Sequence, residues 1–491
     1  MNRLAALIFT MSLISPAAQA VTPSSSESVA IQLRDQAMAG QSVAYSWVSE
    51  LTTRIGPRPA GSPNDNLAAT WAAQKLKELG FENVKIESFP LTAWVRGTEH
   101  ADLIAPNTQP LAVAALGASP ATPPEGLEAD VVFFPTLEDL LAAPNGSLTG
   151  KIAMVTRRTV RTQDTSGYAA VAGGRFMGPI EAARRGAVGF MIRSLATDNR
   201  RLPHTGTTGY VDGHPGIPAF AISVPDADQL ERLAKMGQTV RLRLFSTASF
   251  VNDAHSQNVV AEVRGAVHPE EIVMLGAHLD SWDLGTGAID DGAGTAIIVG
   301  AAKLIHDLPQ RPRRTIRVVL FGAEEVAQPT APFQLFGGYA YATMHASEMR
   351  NHVVASETDT GSDRVYAVHL PPALAPESEL RSAAFRVLTP LGILPTDQTS
   401  ETGLDINPSI QAGGIPTFAL YTDLTNYFDL HHSADDTLDK IDRRTLDQNV
   451  AAWSAVTWLA ADSDANFRSA GPAQKKTPSL GDLFKGAGSR K

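Results

Sequence analysis

Cysteine is absent from the 491 residues. No disulfide can brace the fold, and any bound metal must be held by histidine and carboxylate rather than thiolate. Long apolar runs are missing too. Beyond the N-terminal leader no uninterrupted stretch approaches the ~20 apolar residues of a spanning helix, so no membrane span is expected. Positive charge is in deficit, with 41 Lys and Arg against 51 Asp and Glu and a formal net charge of −10. That balance argues against nucleic acid or an anionic membrane as partner, and solubility is its simplest use. No G-x-S-x-G elbow occurs, which weighs against a serine hydrolase.

What is present supports a large core and more than one domain, with 43% hydrophobic and 19% charged residues. Residues 1–20 read as a secretory leader: Asn2-Arg3, an apolar core over 4–14, and an A-x-A site at Ala18-Gln19-Ala20. Export to a periplasm or to the medium is the expectation. Near-helical apolar spacing predicts one surface helix over 29–51. A Gly/Pro-rich turn (56–63) then feeds a helix over 64–79, stopped at Gly80, and a strand over 84–89.

Between 101 and 250 short β-like pieces alternate with Pro/Gly loops, with one helix-to-strand unit at 180–194. This texture predicts a separate α+β domain inserted into a main domain formed by 21–100 and 251–461. Gly173-Gly174 reads there as a turn signal, and no phosphate-binding glycine motif occurs. His204 and His214 lack carboxylates at ligand spacing and read as loop residues. From 258 to about 461 strands and helices alternate, which predicts an α/β fold: a mostly parallel sheet flanked by helices on both faces, with sites at the carboxyl ends of strands. The tail, 462–491, is rich in Gly, Ser, Lys and Pro and is expected to be mobile.

The chemistry is organised around IVMLGAHLDSWDLGTGAIDDGAGT, residues 272–295. An apolar strand releases into an acidic loop and then a small-residue helix, with His278 and Asp290 at the two ends of the loop. Three later segments each place ligand types after a predicted strand: Glu324-Glu325 in FGAEE, Glu357 and Asp359 in ASETDTGS, His431 and His432 in HHSADDT. Two imidazoles and three carboxylates suit two divalent ions sharing one bridging carboxylate. Adjacent glutamates diverge, so one can coordinate while the other handles a proton.

GAHLDSWDLGTGAIDDGAG, FGAEE, ETD and HHSADDT together resemble the zinc exopeptidase family of secreted bacterial aminopeptidases, plasma glutamate carboxypeptidase (carboxypeptidase Q) and glutamate carboxypeptidase II. The resemblance covers most of the chain, including GPRPAGS, and the segment 150–223 resembles a protease-associated domain. It implies zinc ligands at His278, Asp290 as the bridge, Glu325, Asp359 and His432, with Glu324 as general base. It also implies that Asp280 orients a ligand imidazole. Glu357 is the second choice to Asp359. His431 stands where many aminopeptidases of the family have Tyr, and is expected to donate a hydrogen bond to the developing oxyanion. Trp282, Asp283 and the loop 426–430 are expected around the pocket, with a packing role for Trp282 the alternative.

The function implied is a di-zinc exopeptidase cleaving dipeptides or short peptides with a free N-terminus, as in the carboxypeptidase Q branch. An aminopeptidase on longer peptides is the nearest rival, and a non-catalytic binding protein of the transferrin-receptor kind a remote one. Small peptides are the expected partners. Oligomeric state, a homodimer included, is left open.

Overall fold

The computed structural model describes residues 24–468 except 212, 331–333 and 400–402. The leader, and the tail beyond 468, lie outside the described residues.

Two sheets organise the chain. The first has five strands in the order Glu82–Val95, Ser249–Val263, Arg314–Phe321, His268–His278, His352–Glu357. A parallel bridge from Ala355 to Thr417 links it to a smaller sheet of Leu394–Pro395, Val365–His369 and Ala419–Thr422. Arg314–Phe321 is buried along its whole length, as a strand covered on both faces must be. Alternate residues divide between two cores. Val273, Leu275, Ile316 and Val318 face the helices Ser25–Met38, Ala44–Arg54, Ala293–His306 and Arg443–Ala461, whereas Met274, Val319 and Phe321 face Phe336–Met344 and Asn407–Gly413.

The expected mostly parallel sheet is corrected to a mixed one. Only the pairs around His268–His278 are parallel; Ser249–Val263 runs antiparallel to both its neighbours. The chain leaves the sheet along Glu82–Val95 and returns along Ser249–Val263, and a path that leaves and re-enters at one end makes those strands antiparallel.

The intervening residues build the second sheet, of eight strands, all between Glu99 and Ser246. Its centre, Leu127–Phe134, Ile152–Val155, Gly189–Arg193 and Ala219–Ile222, is parallel. Against it packs the helix Ser166–Arg184, so the expected Gly173-Gly174 turn is mid-helix instead. Gly174 and Gly178 let the helix approach the sheet: a Cβ on Gly174 would sit 3.3 Å from Ile192 Cδ1, and one on Gly178 2.3 Å from the Phe190 ring. The single helix expected over 29–51 is two, Ser25–Met38 and Ala44–Arg54, parted where Gly40 turns at φ +71°. Both bury a face: Leu33, Trp47 and Leu51 are at most 1% exposed.

Candidate active site

The parallel strands deliver side chains to one end. His278 closes its strand, Glu324-Glu325 follow Phe321, and Asp359 lies two residues past Glu357. The acidic loop swings back through Gly287, at φ +61°, into a wide turn carrying Asp290 and Asp291. Buried Asp436 holds that turn. Its Oδ1 accepts the N–H groups of Ala288 (2.8 Å) and Ile289 (2.6 Å), and its Oδ2 that of Asp290 (3.2 Å). Arg58, fully buried, donates to the carbonyls of Leu279, Thr286 (2.8 Å) and Gly287 (2.9 Å), clamping the same loop from GPRPAGS. Asp291 ties the helix start to the strand, accepting from the backbones of Gly294 (3.0 Å) and His278 (3.1 Å). Such a carboxylate suits a helix N-terminus.

Asp290 sits between two sets of groups. Its Oδ1 is 3.1 Å from His278 Nε2, which is itself 3.4 Å from Asp359 Oδ1. Its Oδ2 is 3.3 Å from His432 Nε2, which is 3.1 Å from Glu325 Oε2. Glu324 offers an oxygen within 4.8 Å of ligand atoms of His278 and Glu325. Asp290 Oδ2 and Glu325 Oε1 are buried without a hydrogen-bond partner. Buried carboxylate oxygens so placed call for a cation, and this oxygen and imidazole donor set fits a divalent one. Crowding registers in the titration: burial first, then neighbouring carboxylates, push Glu324 up to about 8, although His278 opposes them.

Six of the side chains singled out in the sequence, His278, Asp290, Glu324, Glu325, Asp359 and His432, thus converge, and the remaining readings divide. Asp280 is fully buried, but His278 Nδ1 lies 3.0 Å from its backbone carbonyl and 3.7 Å from its carboxylate. The ring is therefore held by the main chain, while the carboxylate accepts the N–H groups of Glu324 (3.1 Å) and Glu325 (3.3 Å). Glu357 turns away, accepting from Ile406 N–H at 3.0 Å. Trp282 is a packing anchor, buried in the core of the second sheet with Trp94, yet its ring centroid is 5.6 Å from that of His432. Asp283 is bound to Arg96 at 2.6 Å. His431 stacks on His432 at 3.5 Å and is boxed by Tyr168, Tyr427 and Phe428. Burial pushes its pKa down to about 3, so the ring is neutral at ordinary pH. His204 is buried and belongs to none of the potential ligand groups among the described residues.

A family model, Peptidase family M28, matches residues 258–457. Carboxypeptidase Q of Homo sapiens is 35% identical over 429 residues, 86% of this chain and 86% of that one. The chain belongs to peptidase family M28. It is a metallo-exopeptidase. Among solved structures, the peptidase M28 precursor of Shewanella amazonensis SB2B superposes with a TM-score of 0.86 at 43% identity, covering 91% of this chain and 99% of that one. BSAP, a zinc aminopeptidase from Bacillus subtilis, shares the fold with a TM-score of 0.59 at 21% identity, covering 86% and 96%.

Residues that motif reading missed complete the site of this M28 peptidase. Arg58 and Asp436 shape the loop, and two come from the intervening region: Thr205, whose N–H donates to the His432 carbonyl at 2.9 Å, and Arg175, 3.3 Å from His432 Nδ1. Arg161 and Arg200 reach from the same region to Asp429 and Asp435 on the loop bearing His431 and His432. Arg58 had a visible signal, a basic residue in a Gly/Pro turn. Thr205 and Arg175 had none. No helix of the described residues is long and apolar enough to cross a membrane.

Proposed function

We propose that the chain is an exported di-zinc dipeptidase of the carboxypeptidase Q kind, acting on dipeptides or short peptides with a free N-terminus. His278, Asp359 and Asp290 Oδ1 would hold one ion; His432, Glu325 and Asp290 Oδ2 the other. The observation that carries the reading is the division of the Asp290 oxygens between the two sets. Zinc bound there would supply Lewis acidity, lowering the pKa of a water and polarising the scissile carbonyl. Glu324 then accepts the proton of the attacking water, and the same carboxyl delivers it to the departing amine nitrogen as the C–N bond breaks. Neutral His431 donates a ring N–H toward the developing oxyanion. Asp280 fixes the direction of both glutamates through their backbones.

The dipeptidase reading is preferred to an aminopeptidase on longer peptides because likeness to carboxypeptidase Q extends over most of both chains at 35% identity. The leader at 1–20 is the ground for export. The test is hydrolysis of paired dipeptides, their N-acetylated forms and aminoacyl nitroanilides, with and without chelator, and with zinc content measured. Zinc-dependent cleavage of free dipeptides alone is expected. Cleavage of the blocked peptides would refute recognition of the amine, and cleavage of nitroanilides but not dipeptides would install the aminopeptidase reading.

A further inference from the structure

The parallel strands Ile152–Val155 and Gly189–Arg193 of the second sheet end side by side, the edge at which an open α/β sheet binds its ligand. None of the potential metal-ligand groups among the described residues draws on that edge. Beyond it lies another stretch of this same chain, residues 424–432. The segment after the first strand grips its beginning: the Gln163 carbonyl accepts the Leu424 N–H at 3.0 Å, and Arg161 donates to the Thr425 carbonyl and, at 3.2 Å, to the Asn426 side chain. The segment after the second strand grips the rest. Thr197 N–H donates to the Phe428 carbonyl at 3.3 Å, Arg200 to the Asp429 carbonyl, and Thr205 N–H to the His432 carbonyl at 2.9 Å. At Asp436 the anchorage passes to the main domain, where Thr286 N–H donates to the Asp436 carbonyl at 2.8 Å.

Both segments meet on one side chain. Arg161 Nη2 lies 2.7 and 2.9 Å from the two Asp429 oxygens, and Thr197 Oγ1 donates to Oδ1 at 2.6 Å. The carboxylate is 18% and the guanidinium 36% exposed. An ion pair open to water to that degree contributes little to overall stability, so its weight falls on where the loop lies and not on whether the chain folds. Three residues on, His432 has φ +60°, in the left-handed region that a residue with a Cβ enters only when its surroundings hold it there. In that conformation its Nε2 faces Asp290 and Glu325.

We propose that Asp429 is the positioning residue through which the inserted region holds His432 for the second metal ion, so that retention of that ion depends on the docking of the region. This rests on the two-ion reading above. The other ion would be independent of the loop, since His278 and Asp359 follow strands of the first sheet and the turn of Asp290 is held by Asp436 and Arg58. Asp429 touches no reacting atom; it acts through the main chain it shares with His432.

The test is stepwise zinc affinity of the full chain, by competition with a chromophoric chelator, with zinc content from elemental analysis. Wild type should bind two ions. In Asp429→Asn one of the two affinities should fall by about 10- to 100-fold and the other stay within about 3-fold. Arg161→Met should match it, and the double variant should be no weaker than either single one, because both remove the same contact. Arg158→Met, which breaks the Arg158–Asp228 pair in the same segment, should keep both ions. The kcat lost in Asp429→Asn should return as free zinc is raised, with KM unchanged and the Tm of the metal-free protein within about 2 °C of wild type. Both affinities unchanged, or both lowered alike, would overturn the assignment while leaving the two-ion reading intact. A wild type that binds fewer than two ions overturns both. Should Asp429→Asn fail to fold, Arg161→Met, altered at a partly exposed side chain, decides by the same measurements.

Discussion

Thr205 and His432 meet twice, through the Thr205 N–H on the His432 carbonyl at 2.9 Å and through His432 Nδ1 at 3.3 Å from the Thr205 carbonyl. The second contact selects the tautomer whose Nε2 faces Asp290 and Glu325. Two variants separate backbone from side chain. Thr205→Val loses the hydroxyl's bond to the Ala115 carbonyl (2.8 Å) and the one it accepts from Arg96 Nη2 (3.2 Å), and should cost about 1–3 kcal/mol in denaturant unfolding. Thr205→Pro deletes the N–H and should weaken zinc binding about 10- to 100-fold in chelator competition. Equal zinc affinity in the two would remove the orienting role.

Asp290 and Glu324 should fail differently. Asp290→Asn removes a charge shared by both sets of groups, so bound metal should drop along with activity. Glu324→Gln should keep its metal and lose about 10²- to 10⁴-fold in kcat. Elemental analysis beside the kinetics decides. Metal loss in Glu324→Gln would make it a ligand instead of the base.

Asp280 is expected to matter for the fold of the site as much as for its chemistry. In Asp280→Ala the N–H groups of Glu324 and Glu325 would be left buried and unpaired, a loss of about 1–3 kcal/mol each. Asp280→Asn retains one acceptor and should lose about half as much. Urea unfolding checks the order, and equal losses would contradict it.

These residues also show where sequence was informative. His278, Glu325 and Asp359 were legible because each is a ligand type following an apolar run, and strand ends are where α/β sites form. Thr205 and Arg175 were not, because a loop threonine and a mid-helix arginine carry no spacing signal and reach His432 only through tertiary packing. The helix holding Arg175 was itself hidden by Gly173, Gly174, Gly178 and Pro179, all poor helix formers, of which Gly174 and Gly178 lie against the sheet side chains Ile192 and Phe190. Strand direction was likewise invisible, since two-residue alternation reads the same in Ser249–Val263 and in its parallel neighbours.

A cluster away from the site should shape stability against pH. Burial would lower the pKa of His345, but the Glu87 and Glu348 carboxylates outweigh it and hold it above the ordinary 6.5. A raised histidine contributes in full below 6.5 and loses that contribution as pH rises through its folded pKa. Glu348, also opposed by burial, is drawn down to about 2 by Arg317 and His345, so its own contribution is lost only in acid. Unfolding free energy should therefore decline from pH 6 to 9, and His345→Gln should flatten that decline. An unaltered slope would show that other groups set it.

His431 is where geometry and family expectation press hardest on each other. Its Nε2 is 3.7 Å from Asp290 Oδ2, close enough that Asp290, His431 and His432 form a potential ligand group of their own. As a ligand, His431 would be measured in bound metal: His431→Ala would lose an ion. As an oxyanion donor it would be measured in kcat, with about a 10²- to 10³-fold loss, KM little changed and metal retained. Burial favours the donor role, because a ring held neutral down to about pH 3 has one N–H to give and keeps it across the working range. The aromatic box of Tyr168, Tyr427 and Phe428 fixes where that N–H points. His431→Phe should thus preserve the packing and lose as much kcat as the alanine variant. Near-normal kcat in either would end the oxyanion assignment.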